Sequence, residues 1–308
     1  MVESARLLLG IFVSDLLPVF VIAAVGFSLA RYSTIDPRMI SRLTFHALAP
    51  ALVFHVLVTS QVEGGEFLRM VAFYGLVASA AGIIGYTAAR GMRLNRAETS
   101  AFLLVVVCSN SGNYGLPVTL LAFGREALAY ASVYFVASSI FSYTGGVLLA
   151  ASGEKHVLDA LRGVLRVPAV YGAVAAALAL AFDVTVPEPV LRPLELLSDA
   201  ALPLMILVLG MQLERTTWPD RPAVVAVAVA ISLIATPLFG FALAHLIGLT
   251  GPAFQAGVLQ ASMPTAVITT ILTLEFGGAI NFVTSAVCAA TLLSPFTLTW
   301  IIAYLQRI

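Results

Sequence analysis

The sequence predicts an all-α integral membrane protein: ten transmembrane helices in two inverted five-helix repeats, with broken, crossing fourth and ninth helices. Three observations carry that expectation: the composition, the length of the apolar runs, and prolines that recur in register. The 308-residue chain is 60% hydrophobic and 10% charged, and its mean hydropathy is +1.00. A soluble protein is about 45–50% apolar and about 25% charged. This chain has too few polar side chains to cover a globule in water. Its 16 basic and 16 acidic residues cancel, so no net field points to nucleic acid or to an electrostatically held surface role. Lys155 is the single lysine and falls in a polar break, which argues against a Schiff-base lysine inside the membrane. The two cysteines, Cys108 and Cys288, lie in apolar runs and read as packing residues, too few for a disulfide framework or a metal cluster.

A helix needs about 20 apolar residues to cross the hydrocarbon core. Breaks at charges, glycine and proline give spans at 7–31, 38–60, 67–89, 97–123 and 127–151. A second set follows at 165–183, 190–213, 222–248, 252–275 and 281–305. The first stretch reads as an uncleaved span, because it continues to Ala30 with no convincing cleavage site. Residues 152–163 form the most polar break, holding Glu154, Lys155, His156, Asp159 and Arg162. That break divides the chain into a first repeat, 1–151, and a second, 164–308.

The prolines supply the repeat. Pro18 pairs with Pro168, Pro50 with Pro203 and Pro117 with Pro264, at offsets of 150, 153 and 147. Ala47-Leu48-Ala49-Pro50 also parallels Ala200-Ala201-Leu202-Pro203. An odd number of spans per repeat inserts the second copy upside down, an arrangement found in transporters. The loops set the orientation. One side collects 11 of the 16 basic residues, among them Arg31, Arg38, Arg42 and Arg90, and the other side 5. The richer side is cytoplasmic. Both termini are then extracytoplasmic, in a multi-pass inner-membrane protein.

The fourth span is interrupted at mid-depth by Ser109-Asn110-Ser111-Gly112-Asn113-Tyr114-Gly115-Leu116-Pro117. Polar backbone of this kind is tolerated in a membrane only where protein buries it or water lines it. The ninth span has a milder break, Gln260-Ala261-Ser262-Met263-Pro264-Thr265, in which Pro264 removes one helical donor. In an inverted repeat the second halves of the two spans start near the midplane and run in opposite directions. Each start presents unbonded N–H groups and partial positive charge, so their meeting point suits an anion. Asn110, Asn113, Gln260, Ser262 and Thr265 are the residues that could orient it.

These residues resemble the auxin efflux carrier family, whose members include plant auxin exporters and bacterial carriers of small organic acids. Asn110-Ser111-Gly112-Asn113-Tyr114-Gly115-Leu116-Pro117 fits the family pattern Asn-x-Gly-x-x-Gly-x-Pro. Ser262 to Val267 and Leu197 to Pro203 with Gly210 reinforce the match, which covers essentially the whole chain. The resemblance implies a scaffold with a mobile, elevator-like transport domain, and a homodimer. It also implies a substrate carboxylate against Asn110, with Gly115 in the binding motif and Pro117 and Pro264 marking the helix crossing. Where the family often has Asn, four residues after the ninth-span proline, this chain has Ile268. The short central loop looks bacterial.

Two further ionisable residues stand out. Asp199 and His46 each lie four residues before a proline, at matching positions of the two repeats, and are candidates for proton or ion coupling. Asp15 and Glu275 sit near span ends and read as interfacial. Residues 108–119 and 258–268 contain no Asp or Glu, whereas a sodium site normally includes a carboxylate. The sequence therefore predicts a carrier, not an enzyme, with no cofactor and no metal. It moves a small organic anion down its electrochemical gradient; a sodium- or proton-coupled carrier of similar design is the alternative.

Overall fold

In the computed structural model the described residues form helices joined by short irregular segments, with one isolated antiparallel bridge between Ser109 and Thr265. The structure describes residues 2–60, 62, 64–150, 163–214, 221–275 and 278–308. Residues 152–162 of the expected connecting segment, with Lys155 and Arg162, lie outside them.

The helices follow the expected spans closely. They are α1 (Arg6–Tyr32), α2 (Pro37–Ser60), α3 (Gly64–Gly91), α4 (Arg96–Val107), α5 (Leu116–Tyr143), α6 (Gly145–Ala150), α7 (Pro168–Ala181), α8 (Glu188–Leu213), α9 (Pro222–Ile247), α10 (Gly251–Ala261), α11 (Ile268–Glu275) and α12 (Ile280–Leu305). Among the described residues, seven stretches are long and apolar enough to cross a membrane: α1, α2, α3, Ser111–Ala150, α8, α9 and α12. The apolar helix α7 is shorter. The expected ninth span is divided between α10 and α11, and the expected fourth between α4 and the start of α5. Gly124, at φ 79° and ψ −170°, breaks α5 between the expected fourth and fifth spans. That backbone state is open to glycine and strained for other residues.

Local chemistry starts these helices where the sequence supplies caps. Asn95 and Glu98 form a reciprocal capping box at α4, at 2.9 and 3.0 Å. Asp36 accepts the Arg38 N–H at 3.0 Å with Pro37 in the first turn of α2. Among the described residues, four π-helical turns interrupt or precede helices, at Phe12–Leu16, Thr44–Leu48, Ser111–Gly115 and Ile231–Ala235.

Packing between the two halves depends on missing side chains. Helix α1 lies along α8, and α2 lies along both α7 and α8. A Cβ on Gly26 would stand 2.1 Å from the Leu207 carbonyl oxygen, and one on Gly210 only 1.8 Å from that of Ala23. On α7, a Cβ on Gly172 would meet the Pro50 carbonyl at 2.4 Å. Small residues let such backbones touch, the main source of association between helices in lipid. Large apolar residues such as Leu9, Val21, Leu178, Leu196, Phe296 and Trp300 point outward, as a lipid-facing surface requires.

Candidate functional site

The two helix breaks meet each other. Helix α4 ends at Val107, Cys108 leaves helical geometry, and Ser109 pairs with Thr265 across the break that follows α10. The Asn110 N–H donates to the Pro264 carbonyl at 2.7 Å, and the Ala266 N–H to the Cys108 carbonyl at 2.8 Å. Backbone groups that unwinding had freed thus satisfy one another, which is what burial in a membrane demands. The first break is shorter than its nine-residue polar run suggests. Helical geometry resumes at Ser111 in a π-helical turn, because the Gly115 N–H reaches back to the Asn110 carbonyl at 2.9 Å.

A cavity of about 340 Å³ opens beside this crossing. Asn110, Ser111, Gly112 and Asn113 form its inner wall, with Ala266, Val267 and Ile268 from the second break. Ser138, Ser139 and Ser142 of α5 add hydroxyls, Phe45 and His46 come from α2, and Met205 and Gln212 from α8. The Ser111 and Ser138 hydroxyls are hydrogen-bonded at 2.5 Å. Gly112 packs so closely on Phe135 that a Cβ would lie 2.7 Å from the ring.

Asn110 is 5% exposed, and its side-chain Nδ2 has no hydrogen-bond partner. A buried, unpaired amide costs about 1–3 kcal/mol unless something fills it. No side chain caps the start of the Ser111–Gly115 turn, so the first N–H groups, at Gly112 and Asn113, have no partner within their own turn. Among the described residues that line the cavity, one carries a permanent charge, the exposed Arg42, and none carries a carboxylate.

The expected site residues divide into two groups. Asn110, Asn113 and His46 line the cavity. Gly115, Ser262, Thr265, Pro117 and Pro264 do not; they build the crossing. Gly115 makes room for Gln260, whose Oε1 would lie 2.2 Å from an added Cβ. The Ser262 hydroxyl donates to the Val258 carbonyl at 2.7 Å, and that of Thr265 to the Val105 carbonyl at 2.8 Å. Asp199 is remote from the cavity: its side chain is 56% exposed and lies 3.5 Å from Arg125. Asp15, expected at an interface, is 7% exposed and accepts from Gln306 Nε2 at 3.2 Å. Of the two cysteines, Cys108 is buried and Cys288 partly so.

Arg42, Gln212 and the α5 serines were not expected at the site. The serines had a usable signal, since positions 138, 139 and 142 of an apolar helix share one face. Arg42 and Gln212 had none, because only the packing of α2 and α8 brings them to the crossing.

A family model described as membrane transport protein matches residues 11–302. The chain belongs to this family, the auxin efflux carrier type of membrane transporter. It is a transport protein rather than an enzyme. An uncharacterized transporter of Methanothermobacter thermautotrophicus is 25% identical over 288 residues, covering 92% of this chain and 94% of the relative. An uncharacterized transporter of Methanocaldococcus jannaschii is 23% identical, covering 83% of this chain and 86% of its own. A protein of Rhizobium meliloti named "Putative malonate transporter" is 26% identical, covering 84% of this chain and 83% of its own. In this transporter Ile268 lines the cavity beside Ala266 and Val267, so that wall is apolar.

Proposed function

We propose that this transporter is a secondary, efflux-type carrier of a small organic anion bearing a carboxylate. It moves its cargo by alternating access through the cavity at the helix crossing. One observation carries the reading: Asn110, whose buried amide has no partner, lines a cavity whose one permanently charged residue, among those described, is positive. A carboxylate completes that amide and is opposite in charge to Arg42, whereas a cation finds no counter-charge in the wall. The malonate in the name of the Rhizobium meliloti relative supports a carboxylate.

The same reading takes the chain as ten crossings in two inverted repeats. An exchange of the first span with the sixth and the second with the seventh turns the α1–α8 contact into the α7–α2 contact. Both are extensive, which supports a pseudo-two-fold axis, and the fourth and ninth spans meet on it. With arginine-rich loops in the cytoplasm, the cavity wall at Arg42 and Gln212 faces inward, and the termini lie outside. Homodimer formation in the plasma membrane rests on the family resemblance. Transport is uncoupled and follows the membrane potential: a monovalent anion leaving a cell at about −100 mV gains ~2.3 kcal/mol, roughly a fiftyfold concentration ratio.

The test is a thermal-shift screen of purified protein against small organic acids. At least one acid raises the unfolding temperature of the wild type, and Asn110→Ala abolishes that rise. A wild type that no acid shifts overturns the reading.

A further inference from the structure

We propose that Arg42 is a second anchoring point of the cavity and makes the carrier prefer cargo with two anionic ends over cargo with one. The proposal rests on the anion-carrier reading above and adds a specificity-determining residue to it.

Arg42 has no acidic partner within 4.0 Å among the described residues, while Arg31 and Arg221 pair with Glu214 and Glu98. Other arginines are also unpaired; Arg42 differs in lining the cavity. Its planar fork suits a carboxylate bidentately. His46, one turn on, does not duplicate this role. The His46 Nδ1 lies 3.0 Å from the Arg42 carbonyl oxygen. A carbonyl only accepts, so the Nδ1 proton is committed to that bond and is not offered to a ligand. Arg42 is the residue on the α2 side of the cavity with a permanent charge.

The other pole is the unpaired Asn110 amide at the helix crossing. The two poles come from different elements, α2 and the break between α4 and α5, and share one cavity of about 340 Å³. That volume is at the small end for ligand pockets, about 300–1,000 Å³. It has room for a short molecule, and such a molecule must reach both for the preference to arise. A monocarboxylate engages one pole and leaves the other to water. A dicarboxylate engages both, with Ser138, Ser139 and Ser142 available along its length. Because Asn110 sits at the crossing, the site retains affinity for monoacids when Arg42 is lost.

Titration calorimetry on the purified full chain tests this with matched acids: malonate, succinate and glutarate against propionate, butyrate and valerate. In the wild type at least one diacid binds about tenfold or more tightly than the monoacid of equal carbon count, the worth of one charge-assisted contact. In Arg42→Gln the diacid loses about tenfold more affinity than the monoacid, so that the preference disappears, and Arg42→Lys, which keeps the charge but not the fork, retains part of it. Equal loss for both classes in Arg42→Gln means that the charge only attracts anions generally, and overturns the proposal. An unchanged diacid affinity in that variant overturns it too, while the carrier reading stands. A wild type that binds none of these or other organic acids overturns the carrier reading itself, and the role of Arg42 with it.

Discussion

Asn110 divides its work between backbone and side chain. Its N–H and carbonyl hold the helix crossing and the following π-helical turn, so the fold does not depend on the amide. Asn110→Ala should therefore leave thermal stability unchanged or slightly raised, since it removes an unpaired buried group, and weaken anion binding by roughly 1–3 kcal/mol. Calorimetry and a melting curve on the same sample check both halves. Two glycines behave in the opposite way. Gly210→Ala drives a methyl into the Ala23 backbone carbonyl, which cannot move without shifting α1, whereas Gly115→Ala meets the end of the Gln260 side chain. Both overpack and should destabilise by about 1–3 kcal/mol, Gly210→Ala the more. Gln260→Ala should relieve the Gly115 variant and leave the Gly210 variant as it was. Detergent melts of the single and double variants decide it; relief of both would show that the glycines do not act through these contacts.

At the scale of elements, the π-helical turns and the prolines obey one geometry. The turns Phe12–Leu16, Thr44–Leu48, Ser111–Gly115 and Ile231–Ala235 are centred on Ser14, His46, Asn113 and Leu233. Each centre lies four residues before a proline: Pro18, Pro50, Pro117 and Pro237. A proline ring clashes with the carbonyl four residues back and gives it no N–H. Widening the turn displaces that carbonyl, and the bond skips to five residues, as from the Ala49 N–H to the Thr44 carbonyl. Two of the displaced centres, His46 and Asn113, line the cavity. Pro117→Ala lets the turn relax to α-helix, rotating what precedes it by about 100°. It should cost anion binding as Asn110→Ala does, although Pro117 does not touch the cavity. Pro237→Ala in α9, which contributes nothing to the wall, should leave binding intact; equal losses in both variants would refute the local reading. The prolines, and with them the position of the helix breaks, were legible because a missing N–H is a property of the residue. The π-helical turns were not. Pro193, Pro203 and Pro295 lie inside α8 and α12 without one, so packing decides which prolines widen their helix.

Across the whole molecule, two polar clusters lie apart along α1. At one, Arg31 and Glu214 pair at 3.2 Å, close in sequence to Gln212 of the cavity wall. Asp15 lies 16 residues before Arg31 on α1, about 24 Å away along a helix. There Gln306 bridges the Asp15 carboxylate and the Ala122 carbonyl at 3.2 and 3.4 Å, joining the two ends of the chain to the turn before Gly124. Helix limits were readable in the sequence to within a few residues, because exclusion from water acts on every residue of a helix. The cavity was readable only at its inner wall, where polar residues interrupt an apolar run. Its α2, α5 and α8 walls depend on contacts over long sequence distances. The proposed topology rests on the arginines and predicts that single cysteines at Ser4 react with an impermeant thiol reagent in intact cells, and those at Ser152 only after permeabilisation. The central claim, that an anion passes through this cavity under the membrane potential, is tested most directly by flux in proteoliposomes. Sodium and proton gradients are removed, and a potassium-diffusion potential is imposed on a labelled acid identified by binding. Wild-type flux should follow the sign and size of the potential and be lost in Asn110→Ala. Flux that ignores the potential but requires sodium or a pH gradient, or that persists in Asn110→Ala, contradicts it.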